Sequence, residues 1–85
     1  MENPAPKDPV AVAFGRILCH HRHCAGLSQM VLAERSELDR TYISFLERGV
    51  RQPSLKVLIR LGSALGVPPE DLVGEVRKAL PSPKC

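Results

Sequence analysis

Arg40, Thr41, Ser44 and Phe45 recur at i, i+1, i+4 and i+5, a spacing that sets them on one face of a helix. Such a face binds rather than reacts. The Arg40 guanidinium has the reach and fork to meet the O6 and N7 of a guanine. The hydroxyls of Thr41 and Ser44 can bond a base edge or a phosphate, and Thr41 adds a methyl for thymine. Tyr42, on the flank, can touch a phosphate or a thymine methyl, or pack along the helix. Phe45 either contacts bases or caps the edge of a core. Arg48, Arg51, Gln52 and Lys56 follow, and side chains of this kind meet phosphates, contacts that position a protein without reading sequence. Each of them singly also fits a solvated surface.

Charge supports the binding reading by its placement. The 85 residues carry 12 Lys and Arg against 9 Asp and Glu, a net charge of only +3. Between Asp39 and Arg60 lie five bases (Arg40, Arg48, Arg51, Lys56, Arg60) and two acids (Asp39, Glu47). The other seven bases and seven acids cancel. The whole excess therefore falls in one segment, where phosphates would be met.

A second group with chemical potential is Cys19-His20-His21-Arg22-His23-Cys24. Cys19/His23 and His20/Cys24 are i, i+4 pairs, each able to clamp a soft metal on one helix side. A zinc site wants three or four ligands, and the two pairs sit about 100° apart around a helix. The only other cysteine is Cys85, at the far end. The simpler reading places His21 partly in the core and the others on the surface, with no cofactor and with thiols reduced in a cytoplasmic setting. No nucleophile–base pair and no phosphate-cradling loop appears, so an enzyme is not expected. No apolar run approaches a membrane span and no signal peptide is evident, which points to a cytoplasmic protein without a membrane partner.

The elements that hold these residues are helices. The hydrophobic share is 44% but the aromatic share 4%, so small aliphatic side chains must build the core. Residues 1–7 lack periodicity and read as an arm. Asp8-Pro9 is a helix start, an N-cap followed by Pro at the first position. Val10, Ala13, Phe14, Ile17, Leu18 and His21 carry helix 1 to about Cys24, and Gly26 ends it. Ser28 caps helix 2, roughly Gln29 to Arg35. The turn Ser36-Glu37-Leu38-Asp39 ends in an N-cap for helix 3, roughly Arg40 to Glu47, which Gly49 stops. Pro53-Ser54 begins helix 4, with Leu55, Leu58, Leu61 and Leu65 as its inward stripe. Pro68-Pro69 begins helix 5, with Leu72, Val73, Val76 and Leu80, and Pro81 stops it. Residues 81–85 read as a tail. Five short helices over 8–80 make a compact all-α domain.

Two short helices joined by a four-residue turn, with polar residues outward on the second, follow the grammar of a helix-turn-helix. Gly26-Leu27-Ser28-Gln29, Leu32-Ala33, Ile43-Ser44, Leu46-Glu47-Arg48-Gly49, Pro53-Ser54-Leu55 and Ala64-Leu65-Gly66-Val67 stand in the order and spacing of one family. The chain resembles the lambda-repressor-like, Cro/CI-type (XRE) helix-turn-helix proteins over about residues 9–75. Leu38 to Ser44 looks especially like the recognition helix of restriction–modification controller proteins, small dimeric regulators of about this length. A helix N-terminus favours phosphate, so Ser28 and Gln29 at the start of helix 2 can meet the DNA backbone; the resemblance puts the Gln29 side chain there, while Ser28 caps the helix with or without DNA. The resemblance also implies that Arg22 and Glu47 form an ion pair tying helix 1 to the end of helix 3.

One departure concerns the turn. The family usually carries Gly at the position of Glu37, so either Glu37 accepts a left-handed backbone, at a cost of order 1 kcal/mol, or the turn differs. The expected function is sequence-specific recognition of double-stranded DNA by a dimer on a palindromic operator, with helix 3 in the major groove and no small-molecule substrate. Leu72, Val73, Val76 and Leu80 are the expected dimer surface, unless helix 5 only closes the core. Two other functions remain open: an antitoxin-like protein-interaction module, and a metal- or thiol-responsive regulator using Cys19, His20, His23 and Cys24.

Overall fold

The computed structural model describes residues 8–81. The arm at 1–7, tail residues 82–84 and Cys85 lie outside the described residues. The described chain is all-α, with five helices in the expected order: α1 (Pro9–Cys24), α2 (Gln29–Ser36), α3 (Arg40–Glu47), α4 (Leu55–Leu65) and α5 (Pro69–Ala79). Asp8 accepts from the Val10 amide, Ser28 from Val31 and Ser54 from Val57, so three helix starts are held by the side chains that the sequence nominates. Asp39 differs. Its backbone has the extended N-cap conformation but its side chain makes no capping bond. The start of α3 instead has the backbone bond from the Ile43 amide to the Asp39 carbonyl, 3.1 Å.

Four helix ends are closed by one device. An amide beyond each helix returns to a carbonyl five residues back: Leu27 to Arg22, Leu38 to Ala33, Val50 to Phe45 and Val67 to Gly62. This closure needs a left-handed residue just before the returning amide. Gly26, Gly49 and Gly66 supply it at φ of 72 to 76°. In α2 the residue is Glu37, at φ 58° and ψ 41°, the one non-glycine with positive φ among the described residues. Glu37 thus accepts the strained backbone, and the turn keeps its expected course.

The helices pack as α1 on α3 and α5, α2 on α3 and α4, and α4 on α5. Leu18, Leu32, Ile43, Leu46, Leu61 and Leu72 are fully buried at the centre, with Phe14 beside them. The stripe expected on α4 is corrected at one end. Leu55, in the first turn of α4, is 73% exposed, while Val57, Leu58, Ala64 and Leu65 pack against the core with Leu61. Helix 5 is corrected too: Leu72 and Val76 are buried in the chain's own core and Leu80 packs against it, which leaves Val73 exposed. Four residues of one short helix cannot all face outward when the stripe is also the lid of a small core.

Gly15 sets the distance between α1 and α3. A Cβ there would stand 2.4 Å from the Leu46 carbonyl oxygen and 2.7 Å from that of Glu47. Only a residue without a side chain lets the two backbones meet so closely. No helix of the described residues is long and apolar enough to cross a membrane.

Candidate nucleic-acid interface

Helix α3 presents two faces. Ile43 and Leu46 are fully buried, and the face opposite carries Arg40 and Thr41, both exposed, with Ser44 and Phe45 half-buried. Tyr42 is half-buried and packs against the core, so of its two sequence readings the structure shows the packing. Ser28 is exposed and spends its hydroxyl on the α2 cap. Arg48, Arg51, Gln52 and Lys56 are all exposed.

Beneath α3 lies the ion pair that the resemblance implies. Arg22 Nε donates to Glu47 Oε2 at 2.6 Å and Nη2 to Oε1 at 3.0 Å, a two-pronged pair with side chains only 10% and 7% exposed. Arg22 Nη1 also donates to the Leu27 carbonyl at 2.9 Å, so the same guanidinium fixes the α1–α2 joint. Burial pushes the Glu47 carboxyl up. Hydrogen bonds from Arg22 and Gln29, with the Arg22 charge, outweigh that effect and hold it below its ordinary value of 4.5. The Arg22 guanidinium is raised in turn, chiefly by its hydrogen bond to Glu47.

The polar chain extends further than the sequence suggests. Gln29 Nε2 donates to Glu47 Oε1 at 3.0 Å, and Arg40 Nη1 donates to Gln29 Oε1 at 3.3 Å. One path therefore runs Leu27–Arg22–Glu47–Gln29–Arg40, from the α1–α2 joint through buried Arg22 to the first residue of α3. The side chains assigned separately to backbone and base hold each other. Spacing within single helices gives no signal of this link, because its members are 11, 18 and 25 positions apart.

The Cys/His segment divides. Cys19 Sγ and His23 Nε2 both lie against Arg22 Nη2, at 3.8 and 3.4 Å, while Cys24 Sγ lies 3.5 Å from His20 Nε2 on the exposed side. His21 leaves the group: Glu75 of α5 accepts from its Nε2 at 3.0 and 3.1 Å, an α1–α5 tie that the apolar periodicity hides. Among the described residues no three His, Cys, Asp or Glu side chains converge as a metal site would require.

Two short helices joined through a left-handed residue, the first buttressing the second and the second turning a polar face outward, define a helix-turn-helix DNA-binding domain. A family model described as helix-turn-helix (HTH_3) matches residues 25–72, and the chain belongs to that family, of the Cro/CI, XRE-like kind. It is similar to the control protein C.BamHI of Bacillus amyloliquefaciens, 47% identical over 49 residues that make up 58% of this chain and 60% of that protein. It is also similar to the immunity repressor protein of Bacillus phage phi105, 41% identical over 49 residues, 58% of this chain and 34% of the repressor. The matches thus span 60% and 34% of these two relatives, less than two thirds of either. Among solved structures, the restriction-modification controller protein C.AhdI from Aeromonas hydrophila superposes with a TM-score of 0.71 at 44% identity, over 73% of this chain and 94% of that one. The clp gene regulator ClgR from Corynebacterium glutamicum reaches a TM-score of 0.80 at 31% identity, over 91% and 99%. These relatives are in turn a control protein, an immunity repressor, a restriction-modification controller and a clp gene regulator.

Proposed function

We propose that the protein is a transcriptional regulator of the restriction–modification controller kind, binding a palindromic operator in the cytoplasm as a homodimer with α3 in the major groove. The observation that carries this reading is the outward face of α3, held from behind by the Arg22–Glu47–Gln29–Arg40 chain. Arg40 reads a guanine through its fork, and Thr41 and Ser44 take a base edge or a phosphate. Ser28 and Gln29 approach the backbone from the start of α2. Arg48, Arg51, Gln52 and Lys56 meet phosphates along the strand, and Tyr42 supports the helix from its flank.

A single domain contacts few base pairs, and two copies with half-sites about one helical turn apart supply the specificity it lacks. With Leu72 and Val76 used by the core, the dimer surface draws on three of the apolar side chains left uncovered: Val73 on α5, and Leu55 and Ile59, one turn apart on the neighbouring α4. Selection of bound duplexes from a random pool tests the whole reading. The expected product is an inverted repeat bound by two copies. An unenriched pool overturns the DNA-binding role, and a single half-site bound by a monomer overturns the dimer.

A further inference from the structure

Phe45 has no place in the core. It is half-buried on the outward face of α3 and is absent from the apolar side chains that pack inward among the described residues. What it touches is charge. The guanidinium carbon of Arg48 lies 5.2 Å from the ring centroid and that of Arg51 lies 5.8 Å from it, both within the reach of a cation–π attraction.

The backbone joining these three residues is fixed. The Val50 amide returns to the Phe45 carbonyl at 3.1 Å and the Gly49 amide to that of Leu46 at 3.1 Å, which folds the chain back over the end of α3. Gly49 is buried with φ 76°, and a Cβ there would stand 3.0 Å from the Val12 Cα, so the turn sits directly on α1. Two long arginine side chains leave this turn, and one ring lies within cation–π reach of both. A guanidinium over a ring uses its face in that contact, while its N–H donors point along its edges. Two like charges drawn to one ring also repel each other, and an anion placed between them relieves that repulsion.

We propose that Phe45, Arg48 and Arg51 form a clamp for a phosphodiester, with Phe45 as the positioning residue that orders the two guanidiniums before the anion arrives. The inference deepens the DNA-binding reading and rests on it. It takes Phe45 out of the base-reading set and makes it a determinant of backbone affinity. Ordering the side chains in advance removes part of the entropy that binding would otherwise spend.

The experiment measures duplex affinity against salt, together with base preference, for the full chain, for Phe45→Leu and Phe45→Tyr, and for Arg48→Ala with Arg51→Ala both without and with Phe45→Leu. Phe45→Leu is expected to weaken binding about three- to tenfold, equally across sequences and without changing base preference. Phe45→Tyr, which keeps the aromatic face, is expected to stay within about twofold of the parent. In the arginine-free background Phe45→Leu should add almost nothing. Unchanged binding by Phe45→Leu, a changed preference at one base, a loss that Phe45→Tyr shares, or an equal loss without the arginines overturns the clamp. Should the parent chain bind no duplex at any salt, the DNA-binding reading fails and takes the clamp with it.

Discussion

Arg22 and Glu47 show how much one buried pair can control. Each would be costly to leave alone: removing one partner of such a pair typically costs about 3–5 kcal/mol, because the other charge stays buried without compensation. Glu47→Ala is therefore expected to lower the denaturant midpoint strongly and also to weaken DNA affinity, since Gln29 donates to the same carboxylate and Arg40 donates to Gln29. Unchanged melting and unchanged binding in that variant would remove the pair from the positioning role. The pair also gives stability a pH dependence. Because the folded Glu47 carboxyl is held below its ordinary value of 4.5, its contribution is complete above that pH and is lost as pH falls through the lower folded value. Melting temperature followed from pH 6 down to pH 3, a range of ~3 units around that value, is expected to fall less steeply in Glu47→Gln than in the parent. Glu37 carries the opposite kind of effect, a local cost in the native state. Replacing it with Gly is expected to raise stability by about 1 kcal/mol by relieving the left-handed strain. Thermal unfolding that shows no gain would mean that the Glu37 side chain earns back its backbone strain.

At the scale of elements, the periodicity of the chain located all five helices to within a residue or two, because caps and left-handed stops are local chemistry. Leu55 and helix 5 resisted for the complementary reason. Apolar spacing defines a stripe, but which part of a stripe is covered depends on where the neighbouring helix ends, and that is not local. Gly15 and Gly74 show the same division. In sequence both are glycines inside helices. In space Gly15 touches the carbonyls that end α3, whereas a Cβ on Gly74 would meet nothing within 4 Å. Gly15→Ala is expected to destabilise the fold by about 1–3 kcal/mol, by prising α1 from α3. Gly74→Ala is expected to stabilise the monomer by up to about 1 kcal/mol through helix propensity alone. Equal effects of the two substitutions on the denaturant midpoint would contradict the packing of α1 on α3.

The whole molecule binds, on this reading, through charge placed on one side and geometry set from behind. Affinity for a selected duplex is expected to fall steeply with salt, with the logarithm of the constant linear in the logarithm of salt concentration. Arg40→Ala should relax preference at one base at a cost of about 1–3 kcal/mol, while Arg51→Ala weakens all sequences alike and flattens the salt slope by about one. Identical selected sequences for the parent and Arg40→Ala would remove Arg40 from the reading face. The sequence by itself determined the five helices, the helix-turn-helix family, the basic segment and the polar face of α3, since each is a matter of residue type at short spacing. Only the tertiary structure decided that Gln29 links Glu47 to Arg40, that His21 ties α1 to α5, that Phe45 gathers two arginines, and that Leu72 and Val76 belong to the core. Those contacts join residues through turns and between helices, and their energies depend on distances that chain order does not specify.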